Sequence, residues 1–320
     1  MNAAYYGDSR IAARGGAFAR FFTALRKYKA LYILLVPAAI STIIFAYIPL
    51  GGLIVAFKDY DIWLGFFNSP WAGQHGLAHI YELFTFKPIF DSITNTLTLS
   101  LLNYAIGFPA PIILALLFNE LKGGAFKRTV QTISYMPNFL SWISVIGLVH
   151  MFLAEYGPFN DFLSLFNPGR ARALYLSRQS LFVPLLLILN VWKGVGFGSI
   201  IYLAAITGVD PQLFEAASID GAGRVKQIWH IIMPGITPTI AIMFILSIGS
   251  IFASNFELVF GLQNAFIDFE TIDTIIYKYG LQQRGYSLAT AVGLMRGMIA
   301  LGLTVIANAI TRKLSGLSVF

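Results

Sequence analysis

Lys193 lies in the middle of the apolar run LFVPLLLILNVWKGVGFGSIIYLAA. An ionisable side chain at that depth is expensive, so it faces a cavity or a neighbouring helix rather than lipid. At helical spacing Asn190, Lys193, Gly194 and Phe197 fall at i, i+3, i+4 and i+7 and share one face. That face carries an amide, an ammonium and a flat apolar ring, a set suited to hydrogen bonding and stacking. Its purely structural use would be an interhelical hydrogen bond from the Asn. Arg296 is a second cation in an apolar run, on the stripe Ala289, Gly293, Arg296, Ala300 and Ala307. The small residues of that stripe indicate helix packing, and Glu257 is the expected salt-bridge partner of Arg296.

The other chemistry sits in EAASIDGAGRVKQIWHIIMPG, Glu215 to Gly235, the most polar long stretch of the second half. Asp210 is placed to cap a short helix, with Pro211 at its first position, where a missing N–H costs nothing. Val209 and Phe214 fit a hydrophobic staple across that cap. The helix runs from Pro211 to about Ile219 and shows Leu213, Phe214, Ala217 and Ile219 as an apolar set. Gly221 and Gly223 supply a permissive backbone for a turn. A second short helix, about Arg224 to Ile232, stops at Pro234. Such a hairpin serves equally as a lipid-surface element or as a helix offered to a partner.

The elements that hold these residues follow from composition. Of 320 residues, 57% are hydrophobic and 12% charged, about half the charged share of soluble domains. Lipid is therefore the main solvent. Six stretches approach the roughly 20 apolar residues that cross a bilayer: 31–57, 94–118, 132–153, 181–205, 237–260 and 288–310. The first is too long for a signal peptide and lacks a cleavage site, so it reads as an anchor. Thirteen Lys and Arg fall on the side of the amino terminus, led by Arg10, Arg14, Arg20, Arg26, Lys27 and Lys29, against seven on the other. The positive-inside tendency puts both termini and the 210–235 hairpin in the cytoplasm. Arg170, Arg172 and Arg178 run against that tendency. The division is a cytoplasmic segment 1–30, a transmembrane domain 31–313 and a tail 314–320.

Several activities are excluded. There is no cysteine, and with it go thiol chemistry and Cys-based metal sites. His75 and His79 are spaced like a metal pair but have only Glu82 nearby, so no metal site is expected. GVGFGS inside a span reads as close helix packing, and GFPAP as a kink. No basic patch interleaved with aromatics points to nucleic acid. No catalytic constellation is present: there is no HExxH, and no paired Asp lies in the spans. A proton- or sodium-coupled secondary transporter for a small anionic solute is the competing reading, but only Glu257 could supply its coupling carboxylate.

Glu215-Ala216-Ala217, three residues, Gly221, nine residues, then Ile231-Ile-Met-Pro234 resembles the EAA loop of permease subunits of bacterial type I ABC importers. Met233 replaces the usual Leu, a volume-conserving exchange. YIPLGGLIVAFKDYD, GFPAPIILALLFNEL, YMPNFLSWISVIGLV and the run from Trp192 to Arg224 extend the likeness over nearly the whole chain. They are most similar to the oligosaccharide branch, and within it to permeases handling acidic sugars such as alginate.

The resemblance implies an all-α membrane protein of about six helices in the bacterial inner membrane, with the EAA loop between helices four and five. Phe214, Glu215, Ala216, Ala217, Asp220 and Gly221 would dock on an ATP-hydrolysing subunit. The chain has no GxxxxGK[ST] phosphate loop, so ATP and Mg would belong to two partner ATPase subunits and no cofactor to this chain. A second permease, an extracytoplasmic solute-binding protein and an oligosaccharide complete the set of partners. Asn138, Trp142, Asn190, Lys193, Gly194, Phe197, Ser254 and Asn255 would line the sugar path, with Arg296 beside them. Two cations at low dielectric would favour uronate sugars.

Overall fold

The computed structural model describes residues 27–121, 123–248 and 255–315. Ser254, Lys122, the arginines before Lys27 and the tail from 316 onward lie outside them. Among the described residues there are no strands, only an isolated antiparallel bridge between Lys58 and Trp71. Among the described residues five helices are long and apolar enough to cross a membrane, and six if one sharply bent pair is a single span. They are Lys29–Phe57, Lys87–Glu120, Gln179–Thr207, Arg224–Ser247 and Tyr286–Ile306, with the pair Ala125–Phe139 and Trp142–Phe152.

The chain divides into two compact units. The smaller comprises residues 27–55 and 60–70 and is mostly the first apolar helix, whose side chains are largely uncovered. A turn closes its remainder, where Ser69 Oγ donates to the Gly65 carbonyl at 2.7 Å.

The larger unit, residues 56–59 and 71–315, holds everything else. Three apolar clusters organise it. One joins Val145 and Leu186 to Leu258, Leu262 and Phe269. A second joins Leu83 and Ile89 to Ile272, Ile275 and Val292. The third joins Ile112 and Ala115 to Tyr202, Ile206, Ile232 and Ile236. Helix Gln179–Thr207 contributes to the first and third and so runs through the middle of the unit.

Three expected boundaries change. The 132–153 stretch is not one helix but two, bent by 100°. Pro137 sits in a short 3-10 turn, and Ser141 begins the next helix in extended conformation, accepting from the Ser144 N–H. A proline followed by a capping serine ends one helix and starts another. Second, Pro234 does not stop its helix, which continues to Ile248. A π turn at Ile228–Ile232 precedes it, and the Met233 N–H reaches back to the Ile228 carbonyl. That widened turn relieves the crowding a proline causes in a tight α-helix. Third, Phe256–Leu262 is a separate short helix, capped by Asn255.

Two of the three glycines in GVGFGS, Gly196 and Gly198, do the packing expected of them, and Gly194 does not. A Cβ on Gly196 would run into the Ser134 backbone carbonyl, and one on Gly198 would meet Pro111 at 3.1 Å. At GFPAP the helix is interrupted at Phe108, and Pro109 opens the next segment.

Candidate functional site

The hairpin forms as its sequence demands. Asp210 accepts from the Gln212 N–H at 2.9 Å, and Pro211 opens the helix Pro211–Ile219. Val209 and Phe214 both pack on the third apolar cluster, which anchors the staple. At its far end Ala222 N–H bonds the Ala217 carbonyl at 2.8 Å and Gly221 N–H bonds that of Ser218 at 3.2 Å. That pair of bonds is a Schellman cap, which needs a left-handed residue, and Gly221 has φ +71°. Gly223, with φ −67°, is ordinary extended backbone and needs no glycine.

Gln227, 7% exposed, ties the two arms together. Its amide donates to Ser218 Oγ at 3.2 Å and to the Ala222 carbonyl at 3.1 Å. Of the expected apolar set only Phe214 and Ala217 turn inward; Leu213 is 51% and Ile219 87% exposed. Both face outward because the short helix has covering on one side only. Glu215, Ala216 and Asp220 are exposed as well. Between the arms lies an open cleft of about 750 Å³ lined by Phe214, Glu215, Ile219, Gly221 and Arg224. Val225 and Trp229 add exposed apolar surface on the second arm.

The second assembly lies at the bend. Lys193 Nζ donates to the Asn138 carbonyl at 2.9 Å and stands 5.1 Å from the Trp142 ring centroid. Phe197 meets Phe139 edge-on at 6.2 Å. Asn190 accepts from the Asn255 amide at 3.4 Å, while Asn255 Oδ1 caps the Leu258 N–H at 3.2 Å. Asn138, Trp142, Asn190, Lys193, Phe197 and Asn255 therefore come together on helices distant in sequence. Gly194 is exposed, with nothing near the position of a Cβ. Among the described residues no carboxylate lies within ion-pair distance of Lys193.

Arg296 departs from expectation. It pairs with Asp273, not Glu257, and both members are partly buried. Glu257 is exposed on the helix Phe256–Leu262. Asp273 follows a buried Thr271, and the Ile272 N–H of that turn donates to Thr96 Oγ1 at 2.9 Å. Arg296 belongs to this network and its charge is balanced there.

Sequence reasoning also missed residues around the turn. Glu270 accepts from Lys278 and from Thr274 Oγ1, and Phe256 and Phe260 stack at 5.2 Å beside Tyr277. Thr271 and Thr274 form a capping box there, but with Thr in place of the usual Glu or Gln its sequence carries no clear signal. His79 also has a partner that spacing hides: Asp59 lies 3.0 Å from Nε2, opposite Glu82 at 3.5 Å from Nδ1. No group of three ligating side chains suited to a metal occurs among the described residues.

The described residues thus combine membrane-length helices, a polar face at a broken helix and a capped hairpin after the fourth apolar segment. Residues 107–316 match the family described as the binding-protein-dependent transport system inner membrane component, and the chain belongs to that family. It is thus an inner-membrane, multi-pass permease component of an ABC importer. It is 41% identical over 297 residues to the polygalacturonan/rhamnogalacturonan transport system permease protein YteP of Bacillus subtilis, covering 92% of this chain and 91% of that one. Protein LplB of the same organism is 37% identical over 92% of both chains. Among solved structures, a bacterial alginate ABC transporter in complex with an alginate pentasaccharide-bound periplasmic protein has a chain superposing with TM-score 0.85. That chain is 37% identical, and the match covers 94% of this protein and 100% of the other.

Proposed function

We propose that this permease imports acidic oligosaccharides, of the uronate type, by alternating access. The observation that carries the reading is Lys193, a cation at membrane depth held by a carbonyl and an aromatic ring with no carboxylate beside it among the described residues. Burying an unbalanced cation is costly unless something neutralises it. A substrate carboxylate would do so. The relatives support this choice, since polygalacturonan, rhamnogalacturonan and alginate are acidic polymers.

The roles of the neighbouring residues follow. Asn138, Asn190 and Asn255 offer amides and carbonyls to hydroxyls, with Ser254 adjacent in sequence, while Trp142 and Phe197 offer ring faces. Gly194 leaves open space beside Lys193. Arg296 is structural, because Asp273 already balances it.

The hairpin is the coupling element. Phe214 and Ala217 seat it on the spans, and Glu215, Ala216, Asp220 and Gly221 face the cleft or solvent where an ATPase subunit would dock. ATP and Mg belong to two such subunits, and this chain itself does not hydrolyse ATP. A second permease and an extracytoplasmic solute-binding protein complete the importer, with both termini of this chain in the cytoplasm. A secondary transporter finds less support, because Glu257 is exposed on a short helix and makes no ion pair among the described residues.

Uptake of acidic and neutral oligosaccharides of equal length by Lys193→Ala and Arg296→Ala variants tests the reading. Lys193→Ala should lose uptake of the acidic substrate by about tenfold and leave the neutral one within about twofold, the scale of one charge-assisted contact. Equal losses for both sugars would sink the assignment.

A further inference from the structure

The three arginines that run against the positive-inside distribution sit together at the end of helix Gln179–Thr207 opposite the coupling hairpin. Among the described residues one of them is occupied by the protein's own acids. Arg172 pairs with Asp161 at 2.8 Å, bonds the Glu155 carbonyl at 3.2 Å and covers the Tyr156 ring. Arg170 and Arg178 have no carboxylate within ion-pair distance among the described residues. Both gather instead on one side chain: Arg170 Nη2 donates to the Tyr175 hydroxyl at 3.2 Å, and the Arg178 guanidinium lies 5.7 Å from the Tyr175 ring centroid.

Tyr175 is also a wall of an apolar cavity of about 280 Å³, lined further by Leu153, Phe159, Leu181, Leu185 and Ile188. That is just under the roughly 300 Å³ at which small-molecule pockets begin, and it offers almost no polar group to orient a polar ligand. A flexible hydrocarbon segment fits it better. Beside it, helix Pro158–Phe166 exposes Phe162, Leu165 and Phe166. Exposed aromatic and aliphatic residues next to arginines mark the level where acyl chains meet headgroups. Charge and cavity thus share one wall at one depth.

We propose that Arg170, Arg178 and this cavity form a site for an anionic phospholipid. The phosphodiester lies against the two guanidiniums, and part of one acyl chain fills the cavity behind Tyr175. Guanidiniums are weakly hydrated and match phosphate oxygens in a bidentate fork. This gives the outer arginines a ligand, which orientation alone does not. Unlike Lys193, they stand apart from the polar face, so the site would hold whichever sugar is carried.

The test uses the intact complex purified with its co-purifying subunits, loaded with phosphatidylglycerol or phosphatidylcholine of matched chains and read by native mass spectrometry. Phosphatidylglycerol should be retained preferentially. Arg170→Gln with Arg178→Gln should cut its retention roughly fivefold per charge, the contribution of one basic side chain at an anionic surface. Lysine at both positions should restore only part of it, the charge without the bidentate fork. Ile188→Trp, on an exposed face where folding tolerates it, should lower retention by filling the cavity while leaving both arginines in place. Equal retention of the two lipids, or unchanged adducts in the double Gln variant, would overturn the proposal. Displacement by inorganic phosphate alone would mark a soluble-anion site and overturn it too. So would loss of a co-purifying protein with lipid adducts unchanged, which would mark a protein-docking surface.

Discussion

The hairpin of residues 210–235 and the polar face around Lys193 are built on opposite principles. The hydrogen bonds that shape the hairpin join residues close in sequence: Asp210 to Gln212, Ala222 to Ala217, Gln227 to Ser218. The polar face is joined across long separations, from Lys193 to Asn138 and from Asn255 to Asn190. A local device keeps its shape while the spans around it move, and a distributed one changes shape when they do. That difference suits the roles proposed for them, one transmitting motion and the other opening and closing around a substrate.

The sharpest way to break the distributed region is at the crossing that sets its register. Gly196→Ala places a methyl on the Ser134 carbonyl, backbone that cannot rotate away. Helix Gln179–Thr207 must then shift against the 131–139 segment and carry Lys193 off Asn138. A destabilisation of about 3 kcal/mol or more is expected from overpacking of this kind, read as lost folded protein and a lower unfolding temperature in detergent. Gly194→Ala, two residues away in open space, is the control and should change stability by less than about 0.5 kcal/mol.

Next in size is the pair that Arg296 makes. Removing one member leaves a charge unbalanced in a partly buried place, so Arg296→Met should cost about 3 kcal/mol, the low end for buried pairs. Arg296→Met with Asp273→Leu should recover much of that loss, because no unpaired charge remains. If the single variant were as stable as the parent, Arg296 would be free for substrate and the division of roles between the two cations would fail.

The same contrast explains what could be seen from sequence. Asp210, Pro211, Gly221 and the staple of Val209 and Phe214 act within a few residues, so cap chemistry reads them directly. The shared face of Asn190, Lys193 and Phe197 is legible because one helix presents it. The bend at Pro137 was not, since a long apolar run outweighs one proline in a hydropathy reading; Ser141 was the overlooked cap. Pro234 misled in the other direction, because a π turn has no sequence signature of its own. Asp273 could not be chosen over Glu257 as the partner of Arg296: the network that seats it, through Thr96 and Ile272, spans 176 residues of chain. Site residues on one element are legible, and pairings between elements wait for the fold.

A smaller effect is expected at Gly221, and it separates shape from stability. Nothing lies within 4 Å of a Cβ there, so only φ +71° penalises a side chain. Gly221→Val should lose about 1–2 kcal/mol locally, while Gly221→Asn, tolerated in left-handed backbone, should lose much less. The chain should still reach the membrane, because the three apolar clusters are untouched. Co-purification of an ATPase subunit should fail for Val and survive for Asn. Failure of both would mean that the glycine surface itself is touched by the partner.

The smallest effect distinguishes a docking contact from a brace. Arg224 lies 3.8 Å from Glu120 and links the hairpin to the end of helix Lys87–Glu120, but the arginine side chain is 78% exposed. Exposed pairs of this geometry contribute roughly 0–1 kcal/mol, so Arg224→Ala should leave the unfolding temperature of the isolated chain nearly unchanged. Its guanidinium also lines the cleft between the two arms. ATP-driven uptake therefore reports on something stability does not. If Arg224→Ala and Glu120→Ala reduce uptake equally, the pair braces the hairpin against its span. If only Arg224→Ala does, the arginine reaches across the cleft to a partner, and the local region is completed by a residue from outside this chain.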